Sequence, residues 1–207
     1  MQFHALKTKA PSKRKKDDFY ATPPEVTRAL LSNERFNGPI WEPACGDGAM
    51  SEVISKEYGY EVFSSDLVHR GYHDQKTTAD FLTHPVQLLP IVVGSIITNP
   101  PFKLANKFVL KAIDVAIYKV AMLFRLLYLE GMWRKENIFD KYPPSTVYVL
   151  SDRPKFKDLA CFYPFCWVVW DVAELSNGFD RKTQLKWIKI RDHEVPCLQS
   201  EPRVLEC

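Results

Sequence analysis

The stretch "GPIWEPACGDGAMSEVISKEYGYEVFSSDL", Gly38 to Leu67, decides the fold. A short apolar run reaches Glu42, a loop carrying Gly46 and Gly48 follows, a helical pattern runs from about Ala49 to Tyr58, and a second apolar run spans Glu61 to Ser65. This order of strand, helix and strand is a βαβ unit, in which the crossover helix brings the two strands in parallel. The alternation continues downstream. "TTADFL" supplies a short third strand or turn, "GSIITN" a fourth strand, and "KLANKFVLKAIDVA" a helix with Leu104, Phe108, Ala112 and Val115 on one face. "KVAMLF" then gives a fifth strand. Upstream, "DFYATPPEVTRALLS" reads as a helix entry with Thr22 as N-cap, Pro23 at the first helical position and Glu25 closing a capping box. The helix is expected to end near "SNERFNG".

The last third changes character. "STVYVLS" and "FCWVVWDV" are rich in β-branched and aromatic residues, and the segment between them is too short and proline-broken for a crossover helix. They predict an antiparallel hairpin on the sheet edge, followed by a short strand, "LKWIKI". The expected architecture is α/β and Rossmann-like: a mostly parallel central sheet of about seven strands with helices on both faces.

Composition narrows the class. A chain of 207 residues that is 46% hydrophobic can bury one sizeable core, and none of its apolar runs is long enough to span a bilayer. The N-terminus lacks the apolar core and cleavage site of a secretory signal, so a cytoplasmic protein is expected. The cysteines Cys45, Cys161, Cys166, Cys197 and Cys207 show no paired CxxC spacing and read as reduced thiols, with no metal site implied. The pair His69 and His73 lies in the polar stretch "VHRGYHDQK", read as a surface loop.

Charge is unevenly placed. Net charge is +3, but residues 7–16 hold six basic groups and no acid, leaving 22 basic against 25 acidic residues elsewhere. The expected organisation is a disordered basic tail over 1–16, one domain over 17–197, and a loose tail over 198–207. Lys13, Arg14, Lys15 and Lys16 suit a phosphate backbone or simple solubilisation.

In open parallel sheets, ligands bind beyond the carboxyl ends of the strands, so the residues just after each strand carry the chemistry. Glu42, Gly46 and Gly48 follow the first strand, where glycines admit close backbone approach and a helix N-terminus offers free N–H groups. Asp66 follows the second, placed to accept ribose hydroxyls or to form a turn. Ser51 stands where a dinucleotide fingerprint wants a third Gly or Ala, so the loop alone leaves a dehydrogenase possible. Asn99-Pro100-Pro101-Phe102 follows the fourth strand. Prolines cannot extend a sheet ladder, so this turn ends the strand and fixes Asn99 at its tip.

Taken in order, "DFYATPPE", "WEPACGDGAM", "SSDL", "ADFL", "NPPF", "RLLYLEG", "FCWVVWD" and "LKWI" resemble the class I S-adenosylmethionine-dependent methyltransferases. The resemblance is to the small phage and prophage amino-methyltransferases related to DNA adenine-N6 methyltransferases. It implies S-adenosyl-L-methionine as cofactor and a nucleic acid, foremost DNA, as partner. It further implies that Phe19, Tyr20 and Thr22 close over the methionine end, that Glu42, Gly46 and Gly48 line the sulfonium site, and that Asp66 holds the ribose. Asp80 and Phe81 would contact the adenine ring, and Asn99 to Phe102 would hold the target amine.

The chemistry of the turn agrees. An exocyclic amine on a nucleobase is a poor nucleophile, so an enzyme must position it; the Asn99 side-chain carbonyl and the Pro100 backbone carbonyl can each accept one amine hydrogen. Phe102 can stack an extruded base. Arg125, just after the fifth strand, is read as a phosphate or substrate contact, or as one half of an ion pair with Glu130. Further candidates for substrate contact are "LYLEGMWRKENIFDKYPPS" and the turn holding Arg153, Lys155 and Lys157 around Phe156. RNA, a protein glutamine amide, or a catalytically silent binding role stand as alternatives to DNA adenine.

Overall fold

The computed structural model describes residues 19–156, 163–175 and 182–190. The basic residues Lys13, Arg14, Lys15 and Lys16, Lys157, and the C-terminal tail lie outside them.

Eight strands form one sheet: β1 (Ile40–Glu42), β2 (Val62–Asp66), β3 (Thr77–Thr78), β4 (Ser95–Thr98), β5 (Lys119–Arg125), β6 (Thr146–Leu150), β7 (Phe165–Asp171) and β8 (Gln184–Ile188). Their order is β3-β2-β1-β4-β5-β7-β6-β8. The strands from β1 to β5 pair in parallel, so their carboxyl ends share one edge.

Two corrections concern the C-terminal third. The hairpin is not at the edge: β7 lies inside the sheet, antiparallel to both β5 and β6. The eighth strand, β8, takes the edge and runs parallel to β6. Burial gives the reason. From Phe165 to Trp170 every residue of β7 is buried, whereas only Ile188 of β8 is. A strand apolar on both faces needs a layer on each side, which an edge offers least.

Strand alternation divides the core in two. Ile40, Ile97, Ala121, Leu123, Trp167 and Val169 point to the face covered by α1 (Pro24–Leu31) and α2 (Ala49–Glu52). Trp41, Ile96, Val120, Met122, Val168 and Trp170 point to the other, covered by α3 (Ala105–Val115). The α3 stripe is Ala105, Phe108, Val109 and Ala112, rotated slightly from expectation, with Leu104 and Val115 at its margin. Trp167 Nε1 donates to the Val26 carbonyl at 3.0 Å, tying β7 to α1.

The helix after β1 also departs from expectation. It is α-helical only through Glu52 and continues as a π-helix from Val53 to Glu57. The Arg28 guanidinium forks onto the Glu57 carboxylate at 2.6 and 2.7 Å, anchoring this wider turn to α1. No helix among the described residues is long and apolar enough to cross a membrane.

Candidate active site

The carboxyl ends of β1, β2 and β4 open into one cleft, and most residues singled out from sequence line it. Glu42 and Asp66 form its floor; Asp80 and Phe81 border it; Asn99, Pro101 and Phe102 make one wall; and Phe19, Tyr20 and Thr22 cross over it.

Glu42 ends β1 and is 2% exposed. Burial pushes its carboxyl up to about 8, with the Ser51 hydrogen bond pulling back and the Asp66 charge pushing further. Ser51 Oγ donates to Glu42 Oε2, and Ser51 and Ser64 hydroxyls pair at 2.6 Å. The departure from the glycine fingerprint thus has a structural use. Ser51, fully buried on the first turn of α2, supplies the donor that the Glu42 acid requires.

Gly46 and Gly48 have φ of +59° and +86°, and both are crowded from above. A Cβ on Gly46 would run into the Phe19 ring, and one on Gly48 into the Tyr72 ring. Asp66 holds this loop: its Oδ2 accepts the Gly46 N–H at 2.9 Å and its Oδ1 the Val68 N–H at 3.0 Å. Each carboxylate oxygen accepts two bonds, so capacity for hydroxyl donors remains. Asp80 is exposed and its Oδ1 caps the turn through the Leu82 N–H at 2.9 Å, while Phe81 is mainly core, packed edge-on against Trp41 at 5.0 Å.

Thr22 is not a helix cap. The N-cap is Pro23, with no side-chain capping bond, and the Thr22 hydroxyl instead accepts from Asn99 Nδ2 at 3.0 Å. A distant partner has displaced the local one. The consequence is chemical: with Nδ2 engaged, Asn99 Oδ1 is the atom left to receive a donor. Thr22 is therefore an orienting group for Asn99, and only its position beside Pro-Pro hinted that it was held.

Phe102 is half-buried and already in company. The Arg125 guanidinium carbon sits 4.5 Å over its ring and 4.1 Å over the Tyr163 ring; the Tyr20 ring centroid is 6.0 Å away. Arg125 forms no ion pair with Glu130 among the described residues. Arg153 and Lys155 are exposed, but Phe156, next after Lys155, is buried against Phe165 at 5.0 Å, so it anchors the loop rather than offering a contact face. In the segment after β5, Tyr128 stacks on Phe124 at 3.8 Å under Arg134, leaving Leu127, Met132 and Trp133 exposed.

Sequence reasoning missed Arg70 and Tyr72. Read as part of a surface loop, their stretch instead walls the cleft: Arg70 lies 4.6 Å over Phe19 and 3.8 Å from Asp66, and Tyr72 is 4% exposed. The glycines that Tyr72 and Phe19 cover were the available signal. Cys45 and Cys166 are buried free thiols, each raised by burial, Cys166 to about 12.

The cleft holds about 80 Å³ of free space, room for a few waters at about 30 Å³ each. The lining suits a cationic nucleoside: a buried acid with no cationic partner in Glu42, and the Asp66 side chain at the end of β2.

The strand order and layering are those of the class I S-adenosylmethionine-dependent methyltransferase fold. The chain superimposes on a type I restriction-modification methyltransferase subunit of Streptococcus thermophilus with a TM-score of 0.56 at 13% identity, over 73% of this chain and 44% of that one. For the M protein of the type I restriction enzyme EcoKI the values are 0.53 and 15%, over 72% and 43%. A Listeria monocytogenes protein classed as a class I S-adenosylmethionine-dependent methyltransferase gives 0.58 at 13%, over 84% and 68%. The chain spans less than half the length of the two restriction subunits. No protein-family model and no curated protein matches it.

Proposed function

We propose that the protein is an S-adenosyl-L-methionine-dependent methyltransferase acting on the exocyclic amine of a nucleobase, adenine N6 in DNA. The observation that carries this reading is the Asn99 carboxamide at the end of β4, bound to Thr22 through Nδ2, which leaves Oδ1 to accept a donor, and lining the same cleft as Glu42 and Asp66. The cofactor, when bound, supplies an electrophilic sulfonium methyl. Glu42 would pair with its positive charge, and Asp66 would take the ribose hydroxyls.

The protein's own contribution is orientation. Asn99 Oδ1 accepts one amine hydrogen and the Pro100 carbonyl the other, which turns the nitrogen lone pair toward the methyl carbon. The bound cofactor would supply the methyl group and keep the electron pair of the bond it gives up, and the surplus amine proton would pass to water. Phe102 is hydrophobic and flat, in keeping with an aromatic target. The restriction subunits that share the fold carry names that point to DNA modification, which supports the choice of DNA. Lys13 to Lys16, Arg153 and Lys155 are the proposed phosphate contacts. Their share is read from the salt dependence of binding to random DNA, whose slope should flatten when residues 1–16 are removed.

The test is incubation with methyl-labelled cofactor and, in turn, duplex DNA, single-stranded DNA, RNA and protein extract, followed by nucleoside and amino-acid analysis. N6-methyladenine in DNA is expected, and Asn99→Ala should abolish it while cofactor affinity stays within about threefold, because Asn99 acts on the amine. Label in RNA or on glutamine would move the substrate, and no label anywhere would leave a binding module.

A further inference from the structure

The Arg125 guanidinium rests against two aromatic rings, 4.5 Å from the Phe102 centroid and 4.1 Å from that of Tyr163. Arg125 ends β5, Phe102 comes from the turn after β4, and Tyr163 lies just before β7, so three adjacent strands contribute one group each. Backbone pairing fixes the arrangement: Arg125 is in register with Phe165, and the Leu126 N–H donates to the Pro164 carbonyl at 2.9 Å. Arginine inside a protein normally meets a carboxylate. Here it makes no ion pair among the described residues, and its Nε is buried without a hydrogen-bond partner.

We propose that Arg125 is a placeholder: its flat guanidinium fills, between Phe102 and Tyr163, the slot that the substrate's aromatic ring takes, and substrate enters by exchanging with it. This rests on the amino-methyltransferase reading and specifies its substrate class. Phe102 follows Asn99 within the same turn, so a ring resting on Phe102 carries its amine toward Asn99 Oδ1. The guanidinium covers Phe102 at 4.5 Å, so a ring cannot stack on that face until Arg125 leaves. The unsatisfied Nε makes the resting position costly, and solvent or a phosphate rewards departure. The exchange also discriminates. A nucleobase offers both aromatic walls a full π face in return for the two cation–π contacts it breaks, whereas a glutamine amide offers a small plane and cannot. Arg125 is thus a specificity-determining residue that selects flat aromatic amines over peptide amides.

The experiment uses the full chain and 2-aminopurine riboside, an uncharged fluorescent nucleoside whose emission is quenched on stacking. Carrying no phosphate, it does not sense the loss of charge at Arg125. Arg125→Ala should bind it about fivefold or more tightly than the unmodified protein, the release of two cation–π contacts setting the scale. It should also lower the KM for single-stranded DNA at high salt. Cofactor affinity measured alongside reports that the variant is folded, and Arg125→Met, which keeps the stem, should show the same direction. Equal or weaker nucleoside binding in both variants overturns the placeholder role and makes Arg125 an ordinary contact. Failure of the unmodified protein to label any nucleic acid would instead sink the amino-methyltransferase reading, so the two failures are told apart.

Discussion

Glu42 makes the proposed cofactor site a titrating one. Its carboxyl, buried at the end of β1, stands at about 8 instead of 4.5. A sulfonium and an ammonium can pair only with the carboxylate, so binding must expel a proton wherever the free protein holds one. Each pH step below about 8 should therefore cost about tenfold in apparent affinity, and at pH 6 about 100-fold, or about 2.7 kcal/mol. Calorimetric titration of S-adenosyl-L-methionine between pH 6 and 7.5, in buffers of differing ionisation enthalpy, reads both the slope and the proton released. About one proton per site is expected at pH 6. Glu42→Gln should bind weakly and without slope. A flat affinity in the native protein, or an unchanged slope in Glu42→Gln, refutes the assignment of Glu42 as the cation's partner. The sign for stability is the reverse. A carboxyl whose folded pKa lies above its unfolded value stabilises fully below about 4.5 and loses that contribution as pH rises through about 8, so the ligand-free protein should melt lower at pH 8.5 than at pH 6.

Three further outcomes follow from the geometry. Thr22→Val should lower kcat about tenfold, since one hydrogen bond orients Asn99, with cofactor affinity little changed and with Thr22→Ser restoring the rate. Gly46→Ala puts a Cβ at φ +59° and into Phe19, and should cost about 1–2 kcal/mol in urea denaturation and weaken cofactor binding measured by equilibrium dialysis. Trp167→Ala empties a fully buried site and drops the bond to Val26, with an expected loss of about 3–5 kcal/mol in the same denaturation assay.

The alternating strands and helices were legible because buried parallel strands leave continuous apolar runs and the turns that end them carry Gly or Pro. The Asn99 turn was legible for the same reason: two prolines stop a ladder wherever they stand. What sequence concealed was tertiary. Local rules make Thr22 a cap, and only the fold brings Asn99, far along the chain, to its hydroxyl. Strand order is only partly written in sequence: "FCWVVWD", apolar on both faces, belongs inside a sheet, but nothing in it names β5 and β6 as its neighbours. The polar composition of "VHRGYHDQK" hid Arg70, which lies over the Phe19 ring, and Tyr72, whose ring covers Gly48. Phe102 was read as a face on which an extruded base stacks, and a cation from the next strand covers it.

The insertion of β7 between β5 and β6 bears on how the protein is made. As the ribosome releases the chain in order, β5 emerges without its neighbour, and β6 has no partner until β7 arrives. The apolar flank of β5 therefore waits, unpaired, through the synthesis of some forty further residues. Contacts of such long sequence separation close slowly and leave sticky edges open meanwhile. Truncations before Asp171 should accordingly yield aggregates in place of a smaller folded domain, because the penultimate strand is what closes the exposed flank of β5.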